Sequence, residues 1–138
     1  MYSMAYKTLG GDAKRMRTTE SMLRVIREGL PMTMFDTATE AVGSQKAVFA
    51  ALIGVSLRSL QRKKEGHLTP QQSEHTLAII NVYTSAAEYF GNKEQAKKWM
   101  STPQVIFGDK AGFDYLDTMT GIEYVSDVIN RMKYGMTA

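Results

Sequence analysis

The chain has 138 residues, with 17 Lys and Arg against 14 Asp and Glu for a net charge of +3, 43% hydrophobic residues, 22% charged ones and no cysteine. That length suits one domain or two small subdomains whose core needs no covalent or metal staple, and the balance is that of a globular chain. The lack of Cys excludes a disulfide framework, a Cys-based zinc site and a thiol nucleophile, and the longest apolar run, the nine residues Ala47 to Val55, is far short of the ~20 that span a bilayer.

The opening stretch through Arg15 lacks the apolar core of a signal peptide, so the expected compartment is the cytoplasm. Charge is distributed unevenly. Residues 1–31 hold six Lys/Arg against three Asp/Glu, residues 56–67 hold four against one, and residues 68–138 hold six against eight. A basic first half beside a slightly acidic second half points to an anionic partner for the first half and a different partner for the second.

Turn and cap residues divide the chain into short helices with few strand signals. Residues 1–17, with Gly10-Gly11 and scattered charge, read as a mobile arm. A helix is predicted from Thr19 to Glu28, stopped by Gly29 and Pro31. Thr33 then caps a second helix, with Asp36 closing a capping box and Gly43 ending it. Ser44 caps a third through Ile53, and Ser56 caps a fourth that ends near Gly66. Thr69-Pro70-Gln71-Gln72 is a strong start signal for a long helix that stops at Gly91, with Leu77, Ile80, Thr84, Ala87 and Phe90 near one face. Asn92 caps a shorter helix containing Ala96, Trp99 and Met100, and Ala111 to Leu116 make one or two turns. Thr120 caps the last helix, with Ile122, Val125, Val128, Ile129 and Met132 inward and Gly135 as stop. The fold class is all-α.

The segment from Lys46 to Gly66 carries the most specific local motif, a helix-turn-helix. Two short helices crossing through a tight turn need a small residue where they touch, and Ala50 supplies it. Gly54 takes the turn, Val55 lies beneath it, Ser56 caps the second helix and Leu60 points back to the core. Phe49 and Ile53 bury the first helix from its other side. With Leu60 inward, Arg58, Gln61, Arg62 and Glu65 share the outer face. Arg and Gln suit base edges and phosphates in the major groove, and Lys63 and Lys64 reach the flanking backbone. Ser56 and Ser59 at the helix start join this set, and Gln45 at the start of the first motif helix is placed to touch phosphate. The bland alternative is a helical hairpin whose basic face is only solvated.

Chemistry for catalysis is missing. His67 and His75 have no carboxylate at ligand spacing, so no metal site is expected. No Ser/His/Asp arrangement can be assembled. Asp114 and Asp117 fit an exposed helix start, and Gly10-Gly11 lacks the rest of a phosphate-binding loop. No cofactor is expected, and the chain does not read as an enzyme.

From roughly residue 30 to its end the sequence resembles the antitoxins of RES–Xre toxin–antitoxin pairs, the MbcA/ParS/Xre group. The likeness runs through Gly54-Val55-Ser56 with Leu60-Gln61-Arg62, then Gly66, Leu68-Thr69-Pro70 and Ser73-Glu74. It continues through Phe90-Gly91, Ala96, Trp99-Met100, Pro103 and Phe107-Gly108. It closes with Leu116-Asp117-Thr118, Gly121, Val125, Ile129, Arg131-Met132 and Gly135. Two positions depart from the pattern: similar chains usually have Gly where Asp109 stands and Pro where Gly112 stands.

Beyond the arm (1–17) read from its glycines and charge, the resemblance implies a two-part protein, with an Xre-like helix-turn-helix region (18–68) that represses its own operon and a helical toxin-binding domain (69–138). The expected partners are operator DNA and a cognate RES-type toxin, an NAD-consuming enzyme related to ADP-ribosyltransferases. A homodimer within a larger toxin–antitoxin complex is expected, and no membrane. The last helix and tail, with Arg131, Tyr134, Gly135 and Met136, would cover the toxin's active-site cleft. Trp99, Tyr115, Tyr124 and Tyr134 also read as ordinary core or surface aromatics, Trp99 above all as core. The alternative function is a stand-alone regulator whose C-terminal half only oligomerises.

Overall fold

The computed structural model describes residues 1–62 and 66–135, apart from the side chains of Leu57 and Arg62. The described residues form eight α-helices and three short 3₁₀ turns, with two isolated β-bridges at Pro31–His67 and Gln104–Lys110. In chain order the helices are α1 (Ser3–Thr8), α2 (Thr19–Glu28), α3 (Met32–Val42), α4 (Lys46–Leu52), α5 (Leu57–Arg62), α6 (Pro70–Phe90), α7 (Lys93–Ser101) and α8 (Met119–Lys133). They divide into two compact units, 1–81 and 82–138.

The division falls inside α6, not at the boundary expected between residues 68 and 69. Thr69 and Gln72 do close the expected capping box, the Thr69 amide donating to Gln72 Oε1 at 2.9 Å and the Gln72 amide to Thr69 Oγ1 at 3.1 Å. A helix start is not a domain start, however. Ser73, fully buried, accepts the Leu30 amide at 2.8 Å and ties the first half of α6 into the N-terminal unit. The helix also departs from the one-faced pattern. Thr76, Leu77, Ala78, Ile79 and Ile80 are all buried in succession, while Thr84, Ala87 and Phe90 are only half-buried. A helix apolar around its circumference runs through a core and does not lie on one.

Residues 1–17 are not a mobile arm. Tyr2, Ala5, Tyr6 and Leu9, spaced as one helical stripe, are buried, as is Met16 beyond the turn. Gly11 lies so close to the Tyr6 ring that a Cβ there would overlap it, so Gly10-Gly11 is a packed turn and not a hinge. Arg15 reaches back to the Tyr6 hydroxyl at 3.2 Å and forward to Glu28 at 2.7 Å, joining the arm to α2. Burial pushes the Tyr2 phenol above its ordinary value, with Glu74 adding to the shift. The apolar stripe was present in the sequence, but the paired glycines masked it.

Several helix starts are displaced from their expected caps. In α2, Thr18 accepts the Ser21 amide and Ser21 returns the bond, a complete box. The Thr33–Asp36 box does not form, because Pro31 in extended geometry is the cap. That start is held by pairing across the chain, with Met32 donating to the Gly66 carbonyl at 3.2 Å and Leu68 to the Leu30 carbonyl at 2.9 Å. Asp36 forms an ion pair with Lys46 at 3.1 Å instead. The cap of α4 is Gln45, one residue after Ser44, and α8 is capped by Thr118 through the Gly121 amide at 3.0 Å, two residues before Thr120.

Candidate functional sites

The turn between α4 and α5 is built as the motif requires. Phe49 and Ala50 are fully buried, and Ile53, Val55 and Leu60 are nearly so. Gly54 takes φ +77°, and the Val55 amide donates to the Ala50 carbonyl at 2.8 Å, which turns the chain sharply out of α4. Ser56 caps α5, accepting the Ser59 amide at 3.1 Å while its hydroxyl donates to Ser59 Oγ at 2.9 Å. Behind the motif, the Phe35 and Phe49 rings meet edge-to-face with centroids 5.6 Å apart, a contact worth about 0.5–1.5 kcal/mol beyond burial. This anchors α4 to α3.

On the outer side, Arg58 and Gln61 are exposed on α5, Ser56 is exposed at its cap and Ser59 is half-buried. Gln45 is exposed at the cap of α4 and makes no side-chain capping bond there. Arg62 is the last residue of α5, and its side chain lies outside the described residues, as do Lys63, Lys64 and Glu65. The exposed polar face of Arg58 and Gln61 stands opposite buried Leu60.

The C-terminal unit is organised around a chain of rings. Trp99 lies between Phe90 at 5.9 Å and Phe107 at 5.5 Å, and Phe107 in turn meets Tyr115 and Tyr124, each at 5.7 Å. Phe107 is fully enclosed, whereas Trp99, expected as core, is half-buried. Two tyrosine hydroxyls fix the loop before α8, Tyr115 donating to the Phe107 carbonyl and Tyr124 to the Ile106 carbonyl, both at 2.8 Å. These long-range bonds had no signal in the sequence, where both residues read as ordinary aromatics. Asp114 accepts the Ala111 amide at 3.1 Å, the helix-start role its position suggested.

The two departures from the family pattern sit in the same loop. Asp109 adopts φ +64°, the left-handed region in which the usual Gly is unstrained. Gly112 is buried, and a Cβ there would meet Met100 Sδ and Phe107 Cε2 at 3.2 Å. A left-handed backbone costs most L-residues about 1–2 kcal/mol, Asp less. Thermal melts should therefore rank stability as Asp109→Gly at or above the wild type, with Asp109→Val about 1–2 kcal/mol below it. A Val variant as stable as the wild type would remove this reading of the loop.

At the other end of the unit, Ile122, Val125, Val128 and Ile129 are buried along α8, while Met132 is half-buried. Lys133 pairs with Glu88 at 2.8 Å, holding the last turn to α6. Arg131 is exposed and Tyr134 is 79% exposed, followed by Gly135 at φ +67°. Met136, like Thr137 and Ala138, lies outside the described residues. None of the described helices is long and apolar enough to cross a membrane.

Residues 21–81 match the family described as the antitoxin Xre-like helix-turn-helix domain, and residues 85–135 match the antitoxin Xre/MbcA/ParS C-terminal toxin-binding domain. An antitoxin Xre from Yersinia enterocolitica serotype O:8 / biotype 1B is 32% identical over 114 residues, covering 80% of this chain and 77% of the relative. The chain belongs to the Xre antitoxin family. An antitoxin Xre from Photorhabdus laumondii subsp. laumondii is 27% identical over 117 residues, covering 83% of this chain and 79% of the relative. As an Xre-family antitoxin the chain carries a helix-turn-helix domain and a toxin-binding domain, in a family of antitoxins rather than enzymes. The two matched segments end and begin on either side of the structural division after Asn81.

Proposed function

We propose that this antitoxin neutralises a RES-type, NAD-consuming toxin related to ADP-ribosyltransferases by covering its active site, and represses its own operon through α5. The observation that carries the reading is that one chain joins a helix-turn-helix with an exposed Arg58–Gln61 face to a toxin-binding domain ending in an exposed aromatic. On DNA, α5 enters the major groove. Arg58, Gln61 and Arg62 read base edges, Ser56 and Ser59 approach the backbone at the helix start, and Gln45, Lys63 and Lys64 contact phosphate. One motif of six helical residues grips few base pairs. A homodimer therefore binds two half-sites about 34–36 Å apart, or a multiple of that spacing.

On the toxin, the end of α8 and the tail do the blocking. Arg131 offers a guanidinium to a toxin carboxylate, Tyr134 and Met136 offer anchors for a groove, and Gly135 ends the helix. The test is deletion of residues 131–138. Toxin neutralisation, read as growth rescue of cells expressing the toxin, should be lost, while a gel shift shows operator binding kept. Ile129 and the buried positions before it remain in this variant, so the α8 core is intact. Full rescue by the truncated protein would eliminate tail blocking and move inhibition to another surface of the domain, whereas no rescue by the full-length chain would favour the stand-alone regulator.

A further inference from the structure

Among the described residues of the C-terminal unit, the most exposed large apolar side chain is Val105, at 87%. It sits in a 3₁₀ turn, Val105–Phe107, that is held with unusual completeness. Gln104 and Lys110 close the loop as a bridge, the Gln104 amide donating to the Lys110 carbonyl at 3.1 Å. Within it, the Phe107 and Asp109 amides both donate to the Gln104 carbonyl, and the Gly108 amide to that of Val105. From outside, the Tyr115 and Tyr124 hydroxyls take the two carbonyls that follow Val105. Beneath it, Phe107 is fully buried among the rings of Trp99, Tyr115 and Tyr124.

A mobile loop can carry an apolar side chain in water at no structural expense. Here the protein fixes the backbone on both sides of one and leaves it outside. That is the physical signature of an anchor, since a side chain already held in its bound position loses little entropy on docking. Tyr124, whose hydroxyl holds the carbonyl of the residue after Val105, Ile106, is itself 40% exposed. The surrounding segment is acidic, with Asp109, Asp114 and Asp117 exposed against Lys110. The geometry points to Val105 as a docking anchor for the toxin, inserted into a small apolar socket rimmed by Lys or Arg. This rests on the toxin-neutralising reading above and adds a contact surface separate in sequence from the tail.

The experiment uses the full chain and, as probe, the protein encoded by the reading frame next to the antitoxin gene. Affinity is measured by titration for the wild type, Val105→Ala and Val105→Asp, beside thermal melts and an operator gel shift. At 87% exposure neither substitution disturbs the core, so melting and DNA binding should match the wild type. Loss of the apolar anchor should weaken toxin binding about tenfold for Ala. Loss should be on the order of 100-fold or more for Asp, which buries a carboxylate in an apolar socket. Wild-type binding with Val105→Asp within twofold of it would overturn the anchor and leave the function intact. No binding by the wild type would overturn both.

Discussion

Replacing Arg58 and Arg62 together with Ala should reduce specific operator affinity on the order of 100-fold or more, since a bidentate base contact contributes about 1–3 kcal/mol. Arg58 is exposed on α5, and the residues that hold the helix are others: Leu60 beneath, Val55 in the turn and Ser56 at the cap. The double variant should therefore melt like the wild type and still neutralise toxin. The salt dependence separates the two roles. If an arginine meets a base edge, sequence preference relaxes at one position; if it meets phosphate, all sequences weaken alike and the salt slope falls by about one. Anisotropy titrations on operator and scrambled DNA at several salt concentrations read both. Unchanged specific binding would remove α5 from the major groove.

The largest stability losses are expected from Ala at two glycines, Gly29 and Gly121. Gly29 has φ +85° and ψ 144°, a region essentially closed to side chains, and a Cβ there would overlap the Leu68 carbonyl. Strain of about 1–3 kcal/mol adds to overpacking of about 1–3 kcal/mol, and the obstacle is backbone that cannot rotate aside. Gly121, in the first turn of α8, faces the Tyr115 carbonyl in the same way, where a Cβ would overlap it. Gly29→Ala should thus cost operator binding first, because Leu30 and Leu68 pair beside the helix-turn-helix core. Gly121→Ala should cost toxin binding first, because it displaces the turn carrying Tyr115. Denaturation of the full chain measures the loss. Ala variants within about 0.5 kcal/mol of the wild type would contradict the packing described, since that is the range of an ordinary surface substitution.

Much of the fold is legible where local chemistry decides it. The start of α2, the Thr69–Gln72 box and the Asn92 cap follow from side chains that meet backbone groups two or three residues away, and the end of α2 at Gly29 and the break at Gly54 follow from glycines that take positive φ. Where the partner is distant, the reading shifts. Thr33 and Asp36 make an acceptable box on paper, but the chain before α3 is already pinned by residues 66–68, so the start moves to Pro31. The arm fails for a related reason, since Gly10-Gly11 signals freedom unless one knows that Tyr6 packs against it. Among the site residues, Arg58 and Gln61 emerge from helical spacing against Leu60. Val105 does not, because its exposure depends on two tyrosines 10 and 19 residues further on, reaching back to carbonyls that no periodicity marks.

A single antitoxin chain of this kind should hold both a toxin and an operator. Coexpression with the neighbouring gene product, purification, and size-exclusion with light scattering, before and after operator DNA is added, test it most directly. The two proteins should elute as one complex with the toxin silent, and that complex should shift to larger mass with operator but not with scrambled DNA. If this chain elutes without the neighbouring protein, leaving it fully active, while binding operator unaided, the chain is a regulator and the account is wrong.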